Sequence, residues 1–328
     1  MSNPLDALLA QKEIIIADGA MGTNLIELGL PDGASGELWN AARPDLVKSV
    51  HQSFADAGSE ILLTNTFGAN RYRLAQHKLE HRVRELNVAG ARIVRGVADS
   101  AGRPIVVAGD MGPTGDMLEP MGTRTVAEAE DAFFEQAQAL KEGGADIAWI
   151  ETMYSEDELD AAVRAAQRAG LPFVATMTFD TGGRTMMGVQ PEDAARRIRE
   201  SQCHPVAFGA NCGVGPAQLM DSIVGLARGG GEEIVVVAKS NCGLPVLDAN
   251  NRVSYNGTPE VMATYACLAR DAGARIIGGC CGTTARHIKA MVEALAKRPK
   301  GASPSYADIE KELGTFTMTS GAGKTASS

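Results

Sequence analysis

Ala274-Arg-Ile-Ile-Gly-Gly-Cys280-Cys281-Gly282-Thr-Thr passes from a short apolar run directly into two adjacent thiols and a glycine turn. Placing chemistry-bearing residues at the end of a buried strand is a habit of parallel α/β architectures, where both faces of each strand are covered and the active site collects at the strands' C-terminal ends. The same pattern recurs along the chain. Eight runs rich in Val, Ile and other apolar residues are read as strands: 14–20, 60–67, 105–112, 147–153, 173–179, 206–212, 234–241 and 274–281. Between them lie segments of helical period at 46–57, 80–100, 126–143, 156–169, 191–201, 216–228 and 258–272. Eight such units predict an α/β fold of the (β/α)8 or TIM-barrel type, spanning residues 1–297. A doubly wound open sheet would need a phosphate-binding glycine fingerprint after the first strand. Asp18-Gly-Ala-Met-Gly-Thr lacks that spacing.

The predicted strand ends are polar almost everywhere: Asp18-Gly, Thr64-Asn-Thr-Phe-Gly, Gly109-Asp-Met-Gly, Glu151-Thr, Thr176-Met-Thr, Asn211-Cys, Lys239-Ser-Asn-Cys and Gly279-Cys-Cys-Gly. Asx and Gly residues also end strands for reasons of turn geometry. That reading suffices for one or two of these ends and strains at eight.

Composition narrows the function. A net charge of −9 disfavours nucleic acid as a partner, because phosphate binding needs clustered Lys and Arg. No apolar run approaches the roughly 20 residues of a membrane span, and the start of the chain lacks a basic leader with an apolar core. The expectation is a soluble, cytoplasmic protein with no membrane partner. Six cysteines in 328 residues do not make a disulfide framework. In a reducing compartment, grouped cysteines favour metal or catalytic roles.

Cys212, Cys280 and Cys281 end the sixth and eighth strands and are expected to bind one Zn2+, leaving a fourth position for chemistry. Successive strand side chains point to opposite faces, so the backbone must leave strand geometry at Cys280-Cys281. The neighbouring Gly278, Gly279 and Gly282 permit that. Cys203 and Cys267 are read as packing residues, and Cys242 as a wall residue with replacement ligation as its alternative. A thiolate-rich zinc suits a substrate thiol, which loses its proton on coordination and stays nucleophilic. The expected reaction is displacement at carbon that moves an alkyl group from an activated donor to sulfur. A zinc or redox sensor without catalysis is the reading from another class, and a closed structural site would need four protein ligands.

Asp18-Gly-Ala-Met-Gly-Thr, Thr64-Asn-Thr-Phe-Gly-Ala-Asn, Gly112-Pro-Thr-Gly, Trp149-Ile-Glu-Thr-Met, Gly209-Ala-Asn-Cys-Gly-Val-Gly-Pro, Ser240-Asn-Cys-Gly-Leu-Pro and Gly278-Gly-Cys-Cys-Gly-Thr-Thr resemble the homocysteine S-methyltransferase family over residues 10–296, with the bacterial betaine–homocysteine branch as the nearest likeness. The resemblance implies a zinc enzyme of methionine biosynthesis that methylates the zinc-bound thiolate of homocysteine. It places the zinc ligands on Cys212, Cys280 and Cys281, with no catalytic side chain beyond the activated substrate thiol. It places the substrate-binding carboxylates on Asp18 and Glu151, suited to charge-assisted bonds from an ammonium group. The turn from Gly19 to Gly22 would hold the substrate carboxylate through its amides, and Thr66 and Asn211 would line or support the pocket.

Betaine is the donor this resemblance implies. S-Methylmethionine, S-adenosylmethionine, dimethylsulfoniopropionate and methylcobalamin, the last in a methionine synthase module, are the alternatives. A quaternary ammonium calls for aromatic walls, and aromatic residues are only 5% of the chain. Trp39 is the first candidate, followed by Phe67, Tyr72 and Tyr154. Where the animal betaine enzymes place a tyrosine after Thr-Phe, this chain has Gly68. Residues 298–328 are turn-rich and polar around one short helix. They are expected to be a flexible extension or an arm supporting a homo-oligomer.

Overall fold

The computed structural model of the chain describes residues 3–31, 33–201, 203–247 and 253–316. Eight strands form its centre: β1 (Ile15–Ile16), β2 (Ile61–Leu63), β3 (Val106–Met111), β4 (Ile147–Met153), β5 (Phe173–Met177), β6 (Ala207–Cys212), β7 (Val236–Ser240) and β10 (Ala274–Gly279). A small antiparallel hairpin, β8 (Pro245–Leu247) with β9 (Val253–Tyr255), sits between the last two. The central strands are parallel and run in the order β1-β10-β7-β6-β5-β4-β3-β2. A bridge between Ala17 and Ile61, with the Glu60 amide donating to the Ile16 carbonyl at 2.7 Å, brings β1 against β2. The (β/α)8 barrel is thereby closed.

Strand alternation divides the core in two. Ile15, Ala17, Ile61, Leu63, Val106, Ala108, Ile147, Trp149, Val174, Ala207, Val237 and Ile276 meet inside the barrel. Their neighbours, among them Ile16, Leu62, Val107, Ile150, Phe208 and Ile277, face the outer helices. The helix Pro4–Gln11, capped by Asn3, sends Leu5 and Leu8 into the interior cluster. Arg275, at the start of β10, donates to the Leu9 and Lys12 carbonyls. This helix closes the N-terminal end of the barrel, a role that its few apolar positions did not announce.

Most predicted strands extend one to four residues too far at one end or both. The surplus residues carry the polar loops, whose side chains take over backbone hydrogen bonding where the ladder stops. The first part of the C-terminal extension docks on its own barrel. The helix Tyr306–Leu313 buries Ile309, and Tyr306 donates to Asp221 at 2.8 Å on the helix Pro216–Gly230. Residues 317–328 lie outside the described residues. No helix among the described residues is long and apolar enough to cross a membrane.

Candidate metal centre and adjoining pocket

The inward positions that carry the apolar interior continue upward two residues at a time. Val106 and Ala108 lead to Asp110, Ile147 and Trp149 to Glu151, Ala207 and Gly209 to Asn211, and Val237 to Lys239. A polar layer therefore lies on top of the apolar plug, at the C-terminal ends of the strands where barrel enzymes hold their sites. Asp110, Glu151, Asn211 and Lys239 are all buried.

The candidate metal centre lies at one side of this layer. The ligand atoms of Cys212, Cys280 and Cys281 fall within 4.8 Å of one another, and Cys212 Sγ is 3.9 Å from Cys281 Sγ. A tetrahedral zinc with bonds of about 2.3 Å separates its sulfurs by about 3.8 Å, so the trio fits the ion. The backbone departs from strand geometry as expected. β10 ends at Gly279, and Gly282 has φ 79°. A second departure, not anticipated, occurs at Cys212 itself, whose φ of 63° is rare for a residue with a side chain. By alternation Cys212 would point away from Asn211's face, and the left-handed turn directs its sulfur to the vicinal pair.

Asn241 holds the two thiol-bearing loops together. Its Nδ2 donates to the Gly213 carbonyl at 2.6 Å, and its Oδ1 accepts from the Cys281 amide at 3.0 Å. Cys242 stays out of the cluster, donating through Sγ to the Gly257 carbonyl at 3.3 Å. Cys267 is buried in the core, and Cys203 is partly buried against it.

The carboxylates divide their tasks. Asp18 is fully buried. Its Oδ1 accepts from Lys239 Nζ at 3.0 Å and its Oδ2 from the Leu63 amide at 2.8 Å. It lies beneath the cavity, outside the lining. Glu151 and Asp110 do line it. Glu151 Oε2 accepts from the Trp149 indole at 3.1 Å, while Asp110 Oδ1 has no hydrogen-bond partner among the described residues. Burial pushes the Glu151 carboxyl up to about 7, with Lys239 opposing. Burial, and then Glu151, also raise Asp110 well above the ordinary carboxylate range. Burial alone would depress the Lys239 ammonium, but Asp18 and Glu151 hold it above its usual value. Three acidic groups thus share one internal cation, and the layer is short of positive charge.

Asn211 lies one step behind the lining. Its Oδ1 accepts from the Thr152 amide at 2.9 Å and from Thr176 Oγ1 at 2.7 Å, while its Nδ2 donates to Thr152 Oγ1 at 2.7 Å. It reaches Cys280 Sγ at 3.8 Å, so one amide positions both the Glu151 corner and a thiol. Thr66 lines the cavity and donates through Oγ1 to the Asp110 carbonyl at 2.7 Å. Gly19 also lines it. A Cβ there would stand 2.7 Å from the Thr283 carbonyl oxygen, so only glycine fits.

Of the four aromatic candidates, Phe67 alone lines the cavity. Trp39 is buried in the outer core with Arg43 stacked on its ring at 5.5 Å. Tyr72 is covered by the Arg124 guanidinium at 3.4 Å, and Tyr154 donates to the Asp116 carbonyl at 3.3 Å. Asp110 and Lys239, which the sequence reading left without roles, were detectable: each falls on the parity of the inward apolar residues of its strand. The cavity itself is about 500 Å³, with the three thiols, Asp110, Glu151 and Lys239 at its inner end.

Residues 15–295 match the homocysteine S-methyltransferase family. Methionine synthase of Mycobacterium tuberculosis is 36% identical to the chain over 314 residues, covering 90% of this chain and 26% of that protein. Methionine synthase of Mycobacterium leprae is 34% identical over 312 residues, covering 90% and 25%. The chain thus spans about a quarter of the length of these relatives. Among solved structures, the oxidized form of the homocysteine methyltransferase MmuM from Escherichia coli is 25% identical with a TM-score of 0.72, covering 89% of this chain and 99% of that one. Its metallated form superposes with the same TM-score of 0.72 at 24% identity, covering 88% and 99%. The chain belongs to the homocysteine S-methyltransferase family.

Proposed function

We propose that this member of the family transfers a methyl group from a small cationic donor, betaine first, to the sulfur of homocysteine, giving methionine, at a Zn2+ held by Cys212, Cys280 and Cys281. The observation that carries the reading is the convergence of three thiols at the inner end of a cavity whose other inner walls are buried carboxylates. Zinc held by the three thiols would supply a Lewis acid able to lower the pKa of an incoming thiol.

The chain's own groups position the acceptor. Glu151 and Asp110 face the cavity with one internal cation between them and Asp18, so an ammonium group entering the layer restores its charge balance. Lys239 anchors Asp18 and keeps that carboxylate out of competition for substrate. The Gly19 to Gly22 turn borders the same space; the Ala20 amide donates to the Thr283 carbonyl, and the turn's other amides serve the amino-acid carboxylate. Asn211 fixes Thr152 and reaches Cys280, holding the ammonium and thiol ends of the site at a constant separation. A purely structural zinc would call for a fourth protein ligand, and Cys242 is engaged elsewhere.

The transfer is balanced in electrons: the acceptor sulfur supplies the pair for the new C–S bond, and the donor heteroatom leaves with the pair of the broken bond and becomes neutral. A second reading, as the homocysteine-binding part of a larger methionine-forming system, is favoured by the 36% identity to methionine synthase. Zinc-loaded protein incubated with homocysteine and betaine, sulfonium or methylcobalamin donors, with methionine followed chromatographically, tests both. No methionine from any donor would remove the enzyme reading.

A further inference from the structure

The outer half of the cavity contains two charges that the acceptor does not use. Glu37 and Arg73 both line it, and neither forms an ion pair among the described residues, although most other arginines here do. Glu37 is held rigidly. Its Oε2 accepts from Ser35 Oγ at 2.6 Å, and its Oε1 accepts from the Gly68 amide at 2.8 Å. Gly68 is the opening that makes this geometry accessible. A Cβ built on it would lie 2.7 Å from Glu37 Oε1 and 3.8 Å from Arg73 Cβ, so any larger residue would push into the carboxylate. Arg73 is placed by its Nε, which donates to the Pro113 carbonyl at 3.3 Å; its charge also favours the ionised form of the buried Glu158, and no further hydrogen bond of its guanidinium forms among the described residues.

A fixed carboxylate and a fixed guanidinium flanking one glycine form a complement to a small zwitterion. Phe67, with Leu30 and Ile26, supplies apolar wall beside them. A quaternary ammonium or sulfonium centre has no N–H to donate, so it is recognised by charge and by methyl packing. Glu37 provides the first and the apolar wall the second. A donor carboxylate suits the paired donors of a guanidinium.

We propose that Glu37 and Arg73 are the specificity-determining residues for the methyl donor, selecting a small zwitterionic onium compound whose cationic centre faces Glu37 and whose carboxylate faces Arg73. The proposal rests on the acceptor reading above. In the transfer, one methyl carbon leaves the onium nitrogen or sulfur for the homocysteine sulfur, and the donor departs with its carboxylate intact and its former cationic centre neutral.

The test uses zinc-loaded wild-type protein and the Glu37→Gln and Arg73→Met variants, with betaine as donor and tetramethylammonium as a carboxylate-free competitor. Glu37→Gln is expected to raise the betaine KM at least tenfold and to weaken inhibition by tetramethylammonium in parallel, with the calorimetric Kd for homocysteine unchanged. Arg73→Met is expected to raise the betaine KM at least tenfold and leave tetramethylammonium inhibition unchanged. Betaine KM values within twofold of wild type in both variants overturn the proposal. Wild-type protein that binds homocysteine but takes methyl groups only from methylcobalamin, or from no donor, overturns it too and leaves the acceptor site standing. Failure of zinc-loaded wild type to bind homocysteine overturns the acceptor reading itself.

Discussion

Lys239 Nζ lies 3.0 Å from Asp18 Oδ1, with 3% and 0% of the two side chains exposed, so an ion pair joins β7 to the end of β1 inside the barrel. Breaking a buried pair from one side strands the remaining charge. Lys239→Met is expected to cost about 3–5 kcal/mol in urea unfolding, and adding Asp18→Asn to it should recover part of that loss. A Lys239→Met protein as stable as wild type would show that the pair does not hold the layer.

Asn241 touches both thiol-bearing loops, at the Gly213 carbonyl and the Cys281 amide. Asn241→Ala should lower zinc affinity about 10- to 100-fold, the usual effect of losing a group that orients metal ligands, as measured by competition with a chelator. Cys280→Ala should abolish tight zinc binding, whereas Cys242→Ala should retain it. Loss of zinc on removing Cys242 would place that thiol in the coordination shell.

Glu151 is expected to act on the substrate and not on the ion. Glu151→Gln removes one charge-assisted bond, a change of about 1.5–3 kcal/mol, so the homocysteine Kd should rise about 10- to 100-fold. Zinc content by atomic absorption should not change. A metal-free Glu151→Gln protein would contradict this division of roles.

His51 is fully buried in the helix Pro44–Ala57, and neither ring nitrogen has a hydrogen-bond partner among the described residues. Burial lowers its pKa from 6.5 to about 3. The folded state keeps the ring neutral while the unfolded chain protonates it. The contribution is therefore intact above pH 6.5 and lost as pH falls toward 3, at about 1.4 kcal/mol per pH unit. His51→Leu should flatten the wild-type decline between pH 6 and pH 4 in urea titrations. Parallel curves for the two proteins would indicate that the imidazole finds a compensating partner.

The barrel and its thiols were legible because each is a local property. The periodicity of a run such as Ile147 to Glu151 records burial on both faces. A thiol that follows a run and a glycine stands at a strand end whatever the rest of the chain does. Asp110 and Lys239 were harder. Their inward parity is visible, but Lys239 reads as an ordinary surface cation until Asp18 is known to lie beside it, on the far side of β10 in the closed sheet. Trp39 carried the opposite error in emphasis: an aromatic residue in a βα loop has the chemistry of a cation wall, yet packing against Arg43 and the outer core decides where its ring goes.

The amino-acid order by itself determined that eight strands would be buried on both sides, that their C-terminal ends would carry the chemistry, and that three thiols would be available to a metal. Pairings between residues more than 200 positions apart, such as Asp18 with Lys239, belong to tertiary structure alone. So do the left-handed turn that directs Cys212 to Cys281 and the exclusion of Asp18 from the cavity lining. The physical reason is that periodicity reports which face of a strand is buried, whereas the partner met on that face depends on how the closed barrel sets the strands beside one another.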